Sequence, residues 1–147
     1  MYKSILAPTD GSALSHRGVV KAMRLARKLG ARVTGFYVSP PYQPYVFGEY
    51  IPPDLVSPRQ FEASTKKAAA RVLAAVKRAA AAAGVRCRCF SVTHASPAAA
   101  ILKAAQRYRC DLIVMASHGR GGFSRLLLGS ETQEVLTRSK VPVLVCR

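Results

Sequence analysis

The stretch that decides the fold is LIVMASHGRGGF at residues 112–123, which continues to LGSETQ at residues 128–133. It begins as an apolar run, opens into a glycine-rich loop, and ends in residues that can start a helix. A buried strand that leads through glycines into a helix is typical of open α/β sheets that hold phosphates, because backbone N–H groups and the helix dipole face the gap. The pattern therefore predicts a phosphate-binding loop, with a mobile glycine turn and an ordinary cap as the alternative.

Strands and helices alternate on both sides of this stretch. The strands are predicted at residues 3–9, 32–38, 85–93, 111–117 and 141–146, and the helices at 13–29, 60–83, from 97 and from 130. Ser12 and Ser96 stand at N-cap positions, and Gly30 and Gly84 follow the first two helices. Five strands that alternate with four helices predict one α/β domain over residues 1–147, an open parallel sheet with helices on both faces.

Two features qualify this regular pattern. Pro142 has no amide donor, so the last strand is expected at an edge of the sheet. Residues 39–59 hold six of the nine prolines together with four aromatic residues. A connection of this length is a functional flap or a mobile segment. Its aromatic side chains favour packing on the domain's own surface over packing on a ligand or a dimer partner.

Composition excludes several classes of protein. Half of the 147 residues are apolar, which is enough for a core, and no apolar run is long enough to span a bilayer. The first ten residues do not form a secretory signal, so we expect a cytoplasmic protein. The four cysteines lack the spacing of a zinc site, and reduced thiols are the expectation.

The net charge of +16 is unusual, and residues 1–39 and 59–110 carry +6 and +10 of it. On the first helix, Arg17, Lys21, Arg24 and Lys28 recur at helical spacing as a basic stripe. A solvated basic surface is the favoured interpretation. Binding of nucleic acid is the alternative.

The candidate site lies where two strands end. In an open parallel sheet, ligands bind beyond the carboxyl ends of the strands, at the point where strand order reverses. Pro8, Thr9 and Asp10 end the first strand and the Ala116 loop ends the fourth, so both face one crevice if these strands are neighbours. Asp10 can accept a hydrogen bond from a base or a ribose hydroxyl, or it serves as a turn residue.

The last helix supplies the candidate phosphate site. Ser130 and Gln133 form a capping-box pattern, which predicts that the Ser130 side chain caps the helix. The first amides of this helix, those of Ser130, Glu131 and Thr132, suit a phosphate. Gly119 and Gly129 would let the backbone approach an anion, and Arg120 and Arg125 would add positive charge.

No catalytic set accompanies these residues. His118 lies in the loop without a Ser/His/Asp arrangement or paired carboxylates, so we assign no catalytic residue and no metal cage. We expect a protein that is not a dedicated enzyme, with at most slow hydrolysis of a bound nucleotide.

The chain resembles the universal stress proteins over nearly its full length. The matching tracts lie at residues 5–12, 96–105, 111–122, 127–130 and 141–145. The family's ATP-binding members carry Gly, two residues, Gly, nine residues, then Gly-Ser/Thr. Here that register falls on Ala116, Gly119, Gly129 and Ser130, so the spacing is kept and alanine replaces the first glycine.

The resemblance implies a sheet order of 3-2-1-4-5, a homodimer through residues 141–146, and binding of ATP or AMP with Mg²⁺. It places adenine and ribose near Pro8, Thr9, Asp10, Val38, Met115 and Ala116, and the phosphates on Gly119, Gly129, Ser130, Glu131 and Thr132. Glu131 stands where an uncharged residue is common, so its carboxylate must point away from the phosphates. The alternative within the family is a member that binds no nucleotide and acts through dimer or partner contacts.

Overall fold

The computed structural model describes residues 1–44, 56–119 and 128–147. Its elements in chain order are β1 (Ser4–Pro8), α1 (Ala13–Leu29), β2 (Arg32–Ser39), α2 (Pro58–Ala83), β3 (Cys87–Thr93), α3 (Pro97–Arg107), β4 (Leu112–Ala116), α4 (Ser130–Arg138) and β5 (Val143–Cys146). All pairings are parallel, and the strand order is β3-β2-β1-β4-β5. The predicted α/β architecture and order 3-2-1-4-5 are therefore confirmed, and β5 lies at an edge as Pro142 predicted.

Two helical layers cover the sheet. Helices α1 and α2 pack on one face, where Met23 and Val76 join a core with Ile5 and Val114 from the sheet. The other face is covered by α3 and α4, and its core includes Leu6 and the buried residues of α3. Residues of β1 and β4 alternate between these two cores, so both central strands are buried on both faces.

Asp111 fixes the pairing of the two central strands. Its two carboxylate oxygens accept hydrogen bonds from the backbone amides of Lys3 and Ser4 at 2.9 and 3.0 Å. Its own amide donates to the Ser4 carbonyl at 2.8 Å. This clamp sets the register in which Ile5 lies beside Leu112 and therefore brings the ends of β1 and β4 together.

The starts of α1 and α3 agree with the sequence prediction and those of α2 and α4 differ, while Gly30 and Gly84 end α1 and α2 as predicted. Ser12 and Ser96 each accept a hydrogen bond from the backbone at 3.2 Å, as predicted. Helix α2 begins at Pro58 instead of residue 60, because Ser57 and Gln60 form a capping box. The capping box predicted for Ser130 is wrong: Gly129 is the N-cap of α4, and no side chain caps that helix.

Strand boundaries also shift. β3 begins at Cys87 instead of residue 85, because the Val85 amide closes the end of α2 on the Ala80 carbonyl at 3.0 Å. β5 begins at Val143 instead of residue 141, because the Val141 amide and carbonyl both bond to the Ser139 hydroxyl. The remaining ends agree within one residue.

The proline-rich connection packs on the domain where it is described. The Tyr42 ring lies against the Phe61 ring at 5.3 Å between centroids, and its hydroxyl donates to the Val56 carbonyl at 2.9 Å. For Tyr42 this matches the expectation of packing on the domain's own surface. Tyr45, Phe47 and Tyr50 lie outside the described residues. Among the helices that are described, none has the length and apolar character needed to cross a membrane.

Candidate functional site

A cavity of about 300 Å³ opens where β1 and β4 end. All eleven residues predicted for the site line it: Pro8, Thr9, Asp10, Val38, Met115, Ala116, Gly119, Gly129, Ser130, Glu131 and Thr132. The register set by Asp111 thus brings together tracts more than a hundred residues apart in the chain. Ala116 lines this cavity without filling it. The alanine that replaces the family glycine therefore leaves the cavity open.

The turn after β1 forms one wall and is held by its own side chains. The Thr9 hydroxyl lies 2.9 Å from the buried Ser15 hydroxyl, and it accepts a hydrogen bond from the Gly11 amide at 3.2 Å. Asp10 Oδ1 accepts from the Ser12 amide at 2.9 Å, which is the Asx turn expected of a turn residue. Gly11 adopts a φ of 82°, a conformation that favours glycine.

Asp10 also reaches the glycine loop. A Cβ placed on Gly119 would collide with Asp10 Oδ2, which belongs to a carboxyl group that the turn already fixes. A side chain at position 119 would therefore have to displace the Asp10 carboxyl group, so glycine suits this position before any ligand is considered. Sequence reasoning assigned this glycine to close approach of an anion, and the structure adds this internal reason.

The start of α4 forms the opposite wall. The Gly129 amide donates to the Ser117 carbonyl at 2.8 Å, and the buried Thr132 hydroxyl donates to the Ala116 carbonyl at 3.1 Å. Both bonds tie α4 to the end of β4. The N–H groups of the first helical turn have no acceptor within their own helix, and they carry the positive end of the helix dipole. This wall therefore suits an anion.

The carboxylate of Glu131 has a partner outside its helix. Its Oε2 accepts a hydrogen bond from the Ala98 amide at 2.7 Å, at the start of α3. That amide is one of the donors that α3 cannot satisfy internally, so the carboxylate caps a second helix. We expected the Glu131 carboxylate to point away from the phosphates, and in the structure it is bonded to the start of α3 instead of to its own helix.

An apolar surface lies between the two walls. Five residues that sequence reasoning missed line the cavity: Ser15, Phe36, Pro97, Ile101 and His118. Phe36 shares a face of β2 with Val38, two positions along, and Ile101 lies on the buried side of α3. These periodicities could have revealed Phe36 and Ile101, because they point inward beside residues that were already identified. A flat apolar group fits between such side chains.

His118 has an incomplete set of hydrogen bonds. Its Nδ1 lies 2.9 Å from the Ser117 hydroxyl, and its Nε2 is buried without a partner among the residues described. A general base is usually oriented by a carboxylate or a carbonyl. The partner of the His118 ring among the described residues is the Ser117 hydroxyl instead.

The charged groups that line the cavity determine whether a bound anion would need a cation beside it. The described lining includes two carboxylates, those of Asp10 and Glu131, and no lysine or arginine. Arg120 and Arg125 lie outside the described residues. Among the described residues, backbone amides and the helix dipole attract an anion, whereas the carboxylates of Asp10 and Glu131 repel it. A polyphosphate would therefore bind best with a cation to offset its charge.

Two thiols lie outside the cavity, on β3. Cys87 Sγ and Cys89 Sγ are 3.9 Å apart on one face of the strand. The hydrogen bond from Cys89 lowers the pKa of the Cys87 thiol from about 9.0 to about 7, and raises the pKa of Cys89. All four cysteines are free in the structure. No group of three or more metal-ligating residues occurs in the described ranges.

A family model described as the universal stress protein family matches residues 1–147. The universal stress protein in QAH/OAS sulfhydrylase 3' region of Thermus aquaticus is 34% identical over 147 residues, all of both chains. The solved structure of protein MJ0577 of Methanocaldococcus jannaschii superimposes with a TM-score of 0.80 at 27% identity, over 99% of this chain and 95% of that one.

Two more distant structures carry nucleotides. A universal stress protein solved in complex with cAMP has a TM-score of 0.73 at 24% identity, over 99% of this chain and 97% of that one. One from Archaeoglobus fulgidus in complex with dAMP has a TM-score of 0.59 at 16% identity, over 100% and 98%. At these identities the likeness shows the shared fold.

Proposed function

This chain belongs to the universal stress protein family, and we propose that its cleft binds an adenine nucleotide, ATP with Mg²⁺ or AMP. The observation that carries the proposal is the pairing of an apolar slot with the amide-rich start of α4 in one cavity. A base suits the slot, and a phosphate suits the helix start. The cAMP and dAMP complexes of the two distant neighbours support the choice of adenine.

Different parts of the nucleotide would contact different walls of the cavity. Adenine would lie against the apolar residues Val38 and Met115, with the ribose near Asp10. The phosphates would lie over Gly119 and the first turn of α4. Mg²⁺ would offset the charge of the phosphates, because the described side chains of the cavity are acidic.

We propose a regulatory protein in a stress response that is not a dedicated enzyme. In support, the Ser117 hydroxyl beside His118 is buried and does not line the cavity, and no third group among the described residues orients the His118 ring. Any hydrolysis of ATP would be slow. Replacement of His118 by alanine tests this: unchanged turnover agrees with the proposal, and loss of a substantial turnover contradicts it.

Calorimetry with ATP and Mg²⁺ tests the binding itself. We expect a dissociation constant in the micromolar range or weaker, and binding at least about tenfold weaker in Gly129→Ala. The new methyl would fit the protein, since its nearest atoms are 3.4 Å away, but it would stand where the phosphates approach. The Gly129→Ala variant should therefore stay folded.

Gly84→Ala is the matched control. Gly84 has a φ of 65°, so alanine there is strained, but it lies at the far end of α2 from the cleft. This variant should lose stability and keep its affinity for ATP. Absence of heat at millimolar ATP with folded protein would instead favour the family member that binds no nucleotide.

We also propose a cytoplasmic homodimer that forms through β5. The strand lies at a sheet edge, and its Leu144 is 45% exposed. An unpaired edge with an apolar side chain favours pairing with another copy. The four free cysteines support a reducing compartment.

A further inference from the structure

The basic residues of the chain are concentrated on one helical layer. Helices α1 and α2 pack side by side on the same face of the sheet, and together they carry eleven lysines and arginines and one acid. All eleven side chains belong to exposed residues: Arg17, Lys21, Arg24, Arg27, Lys28, Arg59, Lys66, Lys67, Arg71, Lys77 and Arg78. We call this surface the α1–α2 basic face.

The opposite layer has almost no excess charge. Helices α3 and α4 carry three basic residues and two acids, and one of those acids, Glu134, is paired with Arg138. On the α1–α2 basic face, the single acid Glu62 pairs with Lys66 at 2.8 Å. The other ten cations of this face have no acidic partner on α1 or α2. A charge placed only for solubility has no reason to be so unequal between the two helical layers.

We infer that the α1–α2 basic face binds the phosphate backbone of double-stranded nucleic acid. At 1.5 Å per residue, helices of 17 and 26 residues extend about 25 and 39 Å. Duplex DNA presents a phosphate charge about every 1.7 Å along its axis, so several cations of this face can meet phosphates at once. Such contacts position a duplex and do not read its sequence.

The surface favours a duplex over the other polyanions. Single strands are bound with exposed aromatic side chains, but α1 has no aromatic residue and Phe61 of α2 packs against Tyr42. Membrane surfaces are bound with apolar side chains beside the basic ones. The exposed large hydrophobic residues in the described ranges are Met1, Val56, Val92, Leu136 and Leu144, and none of these lies on α1 or α2.

Two triple variants with equal loss of charge test the inference. Arg17→Gln/Arg24→Gln/Lys28→Gln removes three cations from the α1–α2 basic face. Lys103→Gln/Arg107→Gln/Lys140→Gln removes three exposed cations on or beside the opposite layer. Fluorescence anisotropy with a 24-base-pair DNA of mixed sequence, from 50 to 200 mM salt, measures affinity and its salt dependence. Vesicles of phosphatidylserine and phosphatidylcholine are the comparison.

We expect salt-sensitive binding of the duplex by the unaltered protein. The first variant should bind at least about tenfold more weakly at low salt, with a salt slope smaller by about 3. The second variant should bind within about twofold of the unaltered protein. The inference is overturned if no duplex binds at 50 mM salt, if both variants weaken binding equally, or if vesicles bind and DNA does not. Neither variant touches the cleft, so ATP affinity should stay unchanged in both.

Discussion

Glu131 Oε2 accepts a hydrogen bond from the Ala98 amide at 2.7 Å and so joins the start of α4 to the start of α3. One side chain thereby caps a helix that lies 33 residues earlier in the chain. It also holds a negative charge in the wall of a cavity where we propose phosphates bind. The two roles can be separated, because an amide can accept the same hydrogen bond without the charge.

Glu131→Gln should therefore tighten ATP binding by about fivefold, or about 1 kcal/mol, and change stability little. Calorimetry with ATP and with AMP checks this, and the gain should be larger for ATP because it carries more charge. Glu134→Gln, one turn along α4, is the control for net charge and should leave affinity unchanged. Weaker ATP binding in Glu131→Gln would mean that the carboxylate helps to hold the ligand.

Thr132→Val should destabilise the fold. The buried Thr132 hydroxyl donates to the Ala116 carbonyl at 3.1 Å, and valine removes that donor while keeping the volume. We expect a loss of about 1–2 kcal/mol in the free energy of unfolding, seen as a fall of about 3–6 °C in Tm. Thr137→Val is the control, because that hydroxyl makes an exposed bond to Gln133. Equal effects at both positions would show that the buried bond contributes nothing special.

Cys87 should be the thiol that reacts first with iodoacetamide. Its pKa is lowered to about 7 by the hydrogen bond from Cys89, so the thiolate forms and the rate rises as the pH increases through about 7. Burial raises the pKa of Cys110 and Cys146, which should react slowly. Mass spectrometry of the alkylated peptides across pH measures each rate.

Cys89→Ala should move the midpoint for Cys87 upward by about 1 pH unit or more, because the S–H donor is lost. Cys110→Ala should leave the pH midpoint for Cys87 unchanged. A midpoint for Cys87 that does not move in Cys89→Ala would mean that the neighbouring thiol is not the cause.

Leu144→Arg should convert the proposed dimer to a monomer, because a charged side chain on the edge strand opposes pairing with another copy. Light scattering coupled to gel filtration gives the mass directly. Val92→Arg on β3 is the control, since Val92 is also exposed, at 36% against 45%, but lies on the opposite edge of the sheet from β5. A mass that stays at the dimer value in Leu144→Arg places the interface elsewhere.

Much of the fold could be read from local patterns. Ser12 and Ser96 cap helices as predicted, and Pro142 precedes an edge strand. These features depend on residues within about four positions of one another, so neighbours in the sequence suffice to predict them. The apolar run of β4 could also be read locally, because a continuous run of this kind indicates a strand that is buried on both faces.

Local patterns misled where a partner came from elsewhere in the chain. Ser130 and Gln133 have the spacing of a capping box, but the start of α4 is fixed instead by Gly129 and Thr132 bonding to the end of β4. The spacing of Ser130 and Gln133 does fit a capping box, but the competing contacts come from the end of β4.

The sequence alone determined which segments are strands and helices, because hydrophobic periodicity and helix caps act over short distances. The full set of cleft residues came from the resemblance to the universal stress proteins. Only the tertiary structure decided that Asp10 lies against Gly119, that Glu131 caps α3, and that eleven cations share one layer. Those relations join residues far apart in the chain, and they arise only when the parallel strands pair in register and the crossovers place each helix on its face.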